Sequence, residues 1–149
     1  MIGGLRLLVE KALPVGRQVA WRHLIEPELI NRWSQARVEP RHVEGRPAAG
    51  ERSVGIRLGP LVWHLDEVIE TAEAPSRLVY RVTPRFPVRR HRGEVTLAAD
   101  DGATQLRWEV DFDLFLPGVA VPVGRLIDAQ LRASLDALAG LLAAEASAL

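Results

Sequence analysis

The C-terminal segment is the feature that most restricts the fold of this chain. After Pro117-Gly118, apolar residues recur at helical spacing, while Arg125, Asp128 and Arg132 fall on the opposite side. Alanine fills many of the other positions, which favours one long helix, although Gly140 weakens it. Such a helix has to bury its apolar stripe against a large apolar surface. The stripe consists of Val123, Leu126, Ile127, Leu131, Leu135, Leu138, Leu141 and Leu142.

The middle of the chain, from Gln35 to Phe115, has a sequence period of two and supplies that surface. Turn signals such as Gly45-Arg46-Pro47 and Asp100-Asp101-Gly102 separate the alternating runs, and the short links imply an antiparallel meander. In the last alternating run, Thr104–Leu114, Trp108 and every second residue on either side of it form a buried face, and Asp113 belongs to the solvent-exposed face. The candidate strands are Ala36–Val43, Arg52–Leu58, Leu61–Thr71, Arg77–Thr83, His91–Ala98 and Thr104–Leu114.

The N-terminal part predicts one more strand and two short helices. Leu5 to Leu13 is rich in Leu and Val and reads as a strand. Pro14 opens a helical stretch, and Glu26-Pro27-Glu28 starts a second helical turn with proline at a tolerated position. The expected fold is therefore α+β: a curved antiparallel sheet of about seven strands, two short helices after strand 1, and a long C-terminal helix on the concave face.

Composition narrows the class of protein. The 149 residues form one expected domain, 1–149. Lysine plus arginine equals aspartate plus glutamate at 19 each, which argues against a nucleic-acid partner. The absence of cysteine removes thiolate chemistry. No apolar run is long enough for a membrane segment and the N-terminus lacks a signal-peptide layout, so a cytoplasmic protein is expected.

Three stretches resemble the START-like, or Bet v 1-like (SRPBCC), superfamily, in its polyketide cyclase/dehydrase branch. The first is Pro14 to Trp33, where Glu26 stands in place of the usual aspartate. The second runs from Glu67 to Tyr80 and the third from Asp101 to Trp108. The resemblance covers almost the whole chain and implies the helix-grip fold, with a cavity for hydrophobic small molecules between the sheet and the long helix. These motifs are structural and identify no reaction.

Large apolar residues on separate strands and on the helix stripe could line such a cavity. The same residues are equally compatible with ordinary core packing. The candidate ligand-binding residues are Trp63, Tyr80, Trp108, Phe112, Leu131, Leu135 and Leu138.

Catalytic candidates are few. His64 and Asp66 share one face of a strand and could act as an acid/base pair if that face were inward, but their neighbours Trp63 and Leu65 form the more apolar face. His91 shares the parity of inward residues and is either scaffold or catalyst. Tyr80 is the fourth candidate for a catalytic role. His23 and His42 add no metal-ligand spacing, so no metal and no cofactor is expected.

The segment around Arg85, Arg89, Arg90 and Arg92 is the one local concentration of charge. It is interleaved with Phe86 and Pro87 and is predicted as a hairpin tip. Such a tip is either simply solvated or able to bind anionic head groups or a carboxylated ligand.

Three functions are compatible with these features. The first is a carrier or sensor that binds or transports a lipid, quinone or polyketide-like molecule by burying its apolar surface. The alternative is a polyketide cyclase/dehydratase-type enzyme that uses polar groups in the same cavity. A protein-interaction module of the co-chaperone type is a third possibility, which a large exposed apolar patch would favour. A monomer or weak homodimer is expected.

Overall fold

Seven strands and three helices make up the described part of the chain. The structure is a computed structural model and describes residues 4–40, 51–58, 60–116 and 118–148. Strand β1 (Leu5–Leu13) precedes helices α1 (Arg17–Ile25) and α2 (Pro27–Ile30). The remaining elements are β2 (Arg37–Pro40), β3 (Glu51–Leu58), β4 (Leu61–Glu73), β5 (Arg77–Val82), β6 (Val88–Asp100), β7 (Ala103–Leu114) and α3 (Ala120–Ser147).

The strands form one antiparallel sheet in the order β1-β7-β6-β5-β4-β3-β2. From β2 to β7, each strand pairs with the next one in sequence, as short links require. The two short helices connect β1 and β2, the strands at the two edges of the sheet. The predicted helix-grip fold is confirmed. Of the helices in the described ranges, none combines the length and apolarity needed to cross a bilayer.

Some element boundaries differ from those predicted. Helix α1 begins at Arg17 rather than at Pro14, because Gly16 is still extended at the N-cap. Strand β6 begins at Val88, three residues before the predicted start at His91. The predicted strand Ala36–Val43 is seen as Arg37–Pro40. Its last residues, together with His42 and the predicted turn at Gly45-Arg46-Pro47, lie outside the described residues.

The second half of α3 packs tightly on the sheet. Leu135, Leu138 and Leu142 are each 0% exposed, and they contact a cluster that includes Leu13 and Leu106. Their spacing of three and four residues places them on one face of the helix. The earlier stripe residue Leu131 is only partly buried. The helix therefore seals one end of the sheet and leaves space under its first half.

Side-chain hydrogen bonds hold the segment between α2 and β2 in place. Asn31 donates to the carbonyl of Val38 and accepts from its N–H, both at 2.7 Å. The N–H of Gln35 donates to Ser134 Oγ on α3 at 2.8 Å. Because these bonds satisfy backbone groups that would otherwise be left unpaired, the segment runs across α3 in a defined position.

The alternating pattern of β7 is confirmed on its inner face, but the prediction for Asp113 was wrong. Asp113 was predicted to be solvent-exposed, but only 1% of its surface is exposed. The register of β6 against β7 shifts between Val88 and Arg90, so that Arg89 is an extra residue between the pairs that these two make. The extra residue covers Asp113, with Arg89 Nη2 at 2.8 Å from Asp113 Oδ2. Because the extra residue belongs to β6, the alternation within β7 on which the prediction relied does not reveal that Asp113 is covered.

Gly93 allows the ring of Tyr80 to lie against the backbone of β6. The two residues are partners across β5 and β6. A Cβ atom at Gly93 would lie 2.1 Å from Tyr80 Cζ, a distance that real contacts do not reach. The missing side chain thus fixes how deeply the tyrosine is seated in the sheet.

We expect Gly93→Ala and Gly140→Ala to change stability in opposite directions. The first variant forces the Tyr80 ring to move and lowers the unfolding free energy by about 1–3 kcal/mol. The second adds a methyl group to a helix position with nothing within 4 Å and raises it by roughly 0.5–1 kcal/mol. Urea denaturation measures both. A Gly93→Ala variant as stable as the parent chain would contradict the packing described for Tyr80.

Candidate functional site

A cavity of about 130 Å³ lies between the concave face of the sheet and the first half of α3. An apolar cavity of about 150 Å³ is enough to admit one benzene ring. Most of the side chains that line it are apolar. They come from α1 and α2 (Leu24, Ile30), from the loop before β2 (Trp33, Ala36), from the strands (Val38, Val54, Leu65, Leu78, Val82, Val95, Trp108, Val110) and from α3 (Ile127, Leu131).

The polar lining residues fall into two groups. One group, Ser34, Gln35, Gln130 and Ser134, lies where the segment before β2 meets α3, and Gln35 is exposed. This group marks the solvent side of the cavity. The other group, Arg52, Glu67, Tyr80 and His91, projects from the inner face of the sheet.

Arg52 and Glu67 form an ion pair inside the cavity. Arg52 Nε donates to Glu67 Oε1 at 2.6 Å, and Glu67 is 7% exposed. Burial raises the pKa of Glu67, and the adjacent guanidinium acts in the opposite direction. Glu67 interrupts the apolar parity of Trp63, Leu65 and Ile69 in β4, and this irregularity is the sequence signal that could have identified it.

Tyr80 and Trp108 are joined at the floor of the cavity. Their rings meet edge to face, with centroids 6.3 Å apart, and Trp108 Nε1 donates to Tyr80 Oη at 3.1 Å. Burial raises the pKa of Tyr80, so the phenol stays protonated. Within the described part of the chain, this is the hydroxyl's one hydrogen bond, and there it is the acceptor. Its own proton is therefore available to a ligand oxygen.

His91 separates the main cavity from a smaller one of about 20 Å³ and lines both. Its ring centroid is 6.0 Å from that of Tyr80 and 6.5 Å from that of Phe112. Burial lowers the pKa of His91 to about 4, so the imidazole is neutral near pH 7. A neutral imidazole can accept a proton or a hydrogen bond inside the cavity.

The predicted ligand-binding residues are divided among three places. Tyr80, Trp108 and Leu131 line the main cavity. Trp63 and Phe112 line the smaller one. Leu135 and Leu138 are fully buried in the core beneath the second half of α3 and line neither.

The structure places His64 and Asp66 away from the cavity. In β4, Leu65 and Glu67 face inward, so the alternation turns His64 and Asp66 to the outer face of the sheet. His64 lies there in a surface depression beside Gly55 and Val62. Across the described ranges, no three His, Asp or Glu side chains are grouped so as to hold a metal ion.

His23 is buried in the helical segment rather than in the cavity. It is 5% exposed, with Nδ1 at 2.8 Å from the carbonyl oxygen of Val19 and Nε2 at 3.6 Å from Glu145 Oε2. The carbonyl of His23 accepts a hydrogen bond from Trp33 Nε1 at 3.0 Å. These contacts join α1 to α3 and to the turn that follows α2.

The Arg52–Glu67 pair generates a double-variant prediction. Arg52→Leu leaves a buried carboxylate without its partner and lowers the unfolding free energy by about 3 kcal/mol. Adding Glu67→Leu removes the stranded charge, so the double variant is more stable than Arg52→Leu. Denaturation at pH 7 of the parent chain, Arg52→Leu, Glu67→Leu and the double variant measures the coupling energy between the two side chains. Additive losses would mean that the two side chains do not interact.

His91 generates a prediction about pH. Because its folded pKa lies below the ordinary value, the unfolded chain binds more protons between pH 6.5 and 4, and stability falls as pH falls through this window. Relative to His91→Gln, the parent chain should lose up to about 3 kcal/mol. Denaturation midpoints of both proteins across the window test this. A constant difference would show that His91 titrates normally.

Comparison with known proteins shows a family. The family model described as "Polyketide cyclase / dehydrase and lipid transport" matches residues 8–143. A comparison with curated protein sequences finds no match.

Solved structures share the fold over almost the whole chain. A protein from Thermus thermophilus is 16% identical with a TM-score of 0.77, covering 95% of this chain and 99% of that one. The Zhui aromatase/cyclase from a Streptomyces species is 15% identical with a TM-score of 0.76, covering 93% of each chain. A START superfamily protein from Mycobacterium smegmatis is 13% identical with a TM-score of 0.73, covering 94% and 97%. Because the family model covers residues 8–143, most of the length of the chain, this chain belongs to the polyketide cyclase/dehydrase and lipid transport family.

Proposed function

We propose that residues 1–149 act as one domain that binds and carries an apolar small molecule in the cavity beneath the first half of α3. The observation that carries this proposal is the cavity itself, which the protein's own side chains leave unfilled although the adjoining core is tightly packed. The family description, with its reference to lipid transport, supports it.

Burial of apolar surface supplies the affinity. A ligand that loses about 200 Å² of apolar surface gains roughly 5 kcal/mol before the cost of ordering. A volume of about 130 Å³ holds a ring or a short branched chain. A larger ligand extends past Gln35 and Gln130 to solvent. Lipids, isoprenoid quinones and polyketide-like aromatics all contain such a portion.

The polar cluster on the sheet sets the orientation. The Tyr80 hydroxyl has a proton to donate, and the Arg52 guanidinium carries further N–H donors beside Glu67. A carbonyl or hydroxyl oxygen on the inserted end of the ligand satisfies these donors. We therefore expect a preference for apolar molecules with one oxygen at the buried end over pure hydrocarbons.

Native mass spectrometry after mild purification tests whether the cavity holds a ligand. A co-purified mass of lipid-like composition is the expected result for a carrier. The assay is then repeated on protein stripped with organic solvent and refilled with candidate quinones and fatty acids. A parent chain that binds none of these classes and carries no mass would overturn the proposal.

A substitution at Trp108 tests the location of the ligand. Trp108→Ala removes a wall of the main cavity and the donor to Tyr80, so the affinity for the apolar dye anilinonaphthalene sulfonate should fall about tenfold. Trp63→Ala is the matched control, since Trp63 lines only the smaller cavity. Dye titration followed by fluorescence measures both. Equal losses in the two variants would place the dye elsewhere.

One observation favours the alternative, a polyketide cyclase/dehydratase activity. Tyr80 and His91 line the same cavity with ring centroids 6.0 Å apart. In an aldol cyclisation, neutral His91 would take a proton from the carbon between two carbonyls, and that carbon would bond to a third carbonyl carbon. Tyr80 would donate its proton to the resulting alkoxide. Turnover of a linear poly-β-ketone by the parent chain but not by Tyr80→Phe, with ligand binding intact in both, distinguishes the enzyme from the carrier.

A further inference from the structure

We propose that the end of the molecule formed by the β5–β6 hairpin, the β7–α3 loop and the start of α3 docks onto an anionic lipid surface. This end is called the Phe86–Phe115 end below. The exposed side chains that this proposal uses line neither the main nor the smaller cavity, and the proposal does not depend on what the cavity binds.

The Phe86–Phe115 end exposes large apolar side chains. Phe86 and Phe115 stack with ring centroids 6.2 Å apart and an interplanar angle of 12°, and they are 67% and 52% exposed. Leu116 and Val121 are exposed beside them in sequence, at 42% and 52%. Apolar surface left in contact with water is unfavourable, and a patch of grouped apolar side chains therefore indicates a surface that is covered in use.

Contacts and register bring these segments together. Val88 pairs with Leu114, and Phe115 N–H donates to the carbonyl of Pro87 at 2.8 Å, which joins the hairpin to the loop after β7. The first turns of α3 pack beside the start of β1: a Cβ at Gly124 would lie 3.0 Å from Leu5 Cδ1. The apolar side chains thus protrude from one end of the fold.

The two segments that form this end carry positive charge and no negative charge. Segments 83–92 and 114–127 contain arginines and no aspartate or glutamate. Arg85, Arg90 and Arg125 are exposed, and none of the three forms an ion pair with another described residue. The adjacent carboxylates of Asp113 and Asp128 are already paired with Arg89 and Arg132.

Charge complementarity selects the occupant. In a two-fold dimer the same patch faces itself, so Arg85, Arg90 and Arg125, which pair with no acidic residue of the described ranges, would face the arginines of the second copy. A membrane containing anionic lipids supplies negative charge at the level of the arginines and an apolar layer for the aromatic rings. Exposed aromatic side chains and exposed arginines at the same end of the fold are the combination expected of an interfacial anchor.

Vesicle co-sedimentation of the full chain tests the proposal. The parent chain should bind vesicles of equal parts phosphatidylcholine and phosphatidylglycerol, bind pure phosphatidylcholine weakly, and lose binding as salt is raised. Phe86→Ser with Phe115→Ser should abolish binding. Arg85→Gln with Arg90→Gln should reduce the partition coefficient by roughly 25-fold, at roughly fivefold per arginine.

Matched controls come from the opposite end of the molecule. Arg22→Gln with Arg107→Gln removes the same charge, and Val19→Ser removes an apolar side chain that is 43% exposed. Both should bind vesicles like the parent chain. If the double phenylalanine variant does not fold, Phe86→Ser alone replaces it, since Phe86 is at the hairpin tip.

Three results would overturn the proposal: no binding of the parent chain to the mixed vesicles, equal binding by control and patch variants, or a concentration-dependent dimer that the phenylalanine variant abolishes. The last would show that a second copy covers this end. Dye binding by the same variants reports on the cavity separately. A patch variant that still binds dye but not vesicles supports the docking surface, whichever ligand the cavity takes.

Discussion

The burial of the α3 stripe against the concave face of the sheet is the interaction on which the other features depend. Leu135, Leu138 and Leu142 are fully enclosed, and this half of the helix fixes the position of the rest. Because α3 is continuous from Ala120 to Ser147, its first half is held over the sheet without filling the space below. The cavity is thus a consequence of where the helix is anchored. Close packing at Gly124 and at Leu135, Leu138 and Leu142, with space between the two regions, comes from the same rigid element.

The architecture could be predicted from the sequence because the patterns that indicate strands and helices repeat over many residues. Alternation along β7 and helical spacing along α3 each extend over ten or more residues, and turn residues mark the ends of most strands. Single departures from alternation were not accessible in the same way. The bulge that buries Asp113 depends on the register of β6 against β7, which is a property of two strands rather than of one.

The candidate site was predicted less completely, for a related reason. Periodicity assigned Trp63, Tyr80, Trp108 and Phe112 to the inner face, but it could not tell which of them border empty space. That distinction depends on how far α3 stands off the sheet. Leu135 and Leu138 share the helix face of Leu131 yet lie in the core. The Arg52–Glu67 pair was missed because its two members lie on different strands, although the pattern already contained a charge on an apolar face.

The close approach of Tyr80 to Gly93 separates the parts of the cavity that can vary from those that cannot. The tyrosine rests on bare backbone, so the floor has a depth set by the main chain instead of by a choice of rotamer. The opposite walls, from the segment before β2 and from residues 127–134 of α3, consist of side chains, several of them at partly or fully exposed positions such as Gln35, Gln130 and Leu131. Selection for a new ligand, natural or in the laboratory, would therefore act on those walls while the floor stays constant.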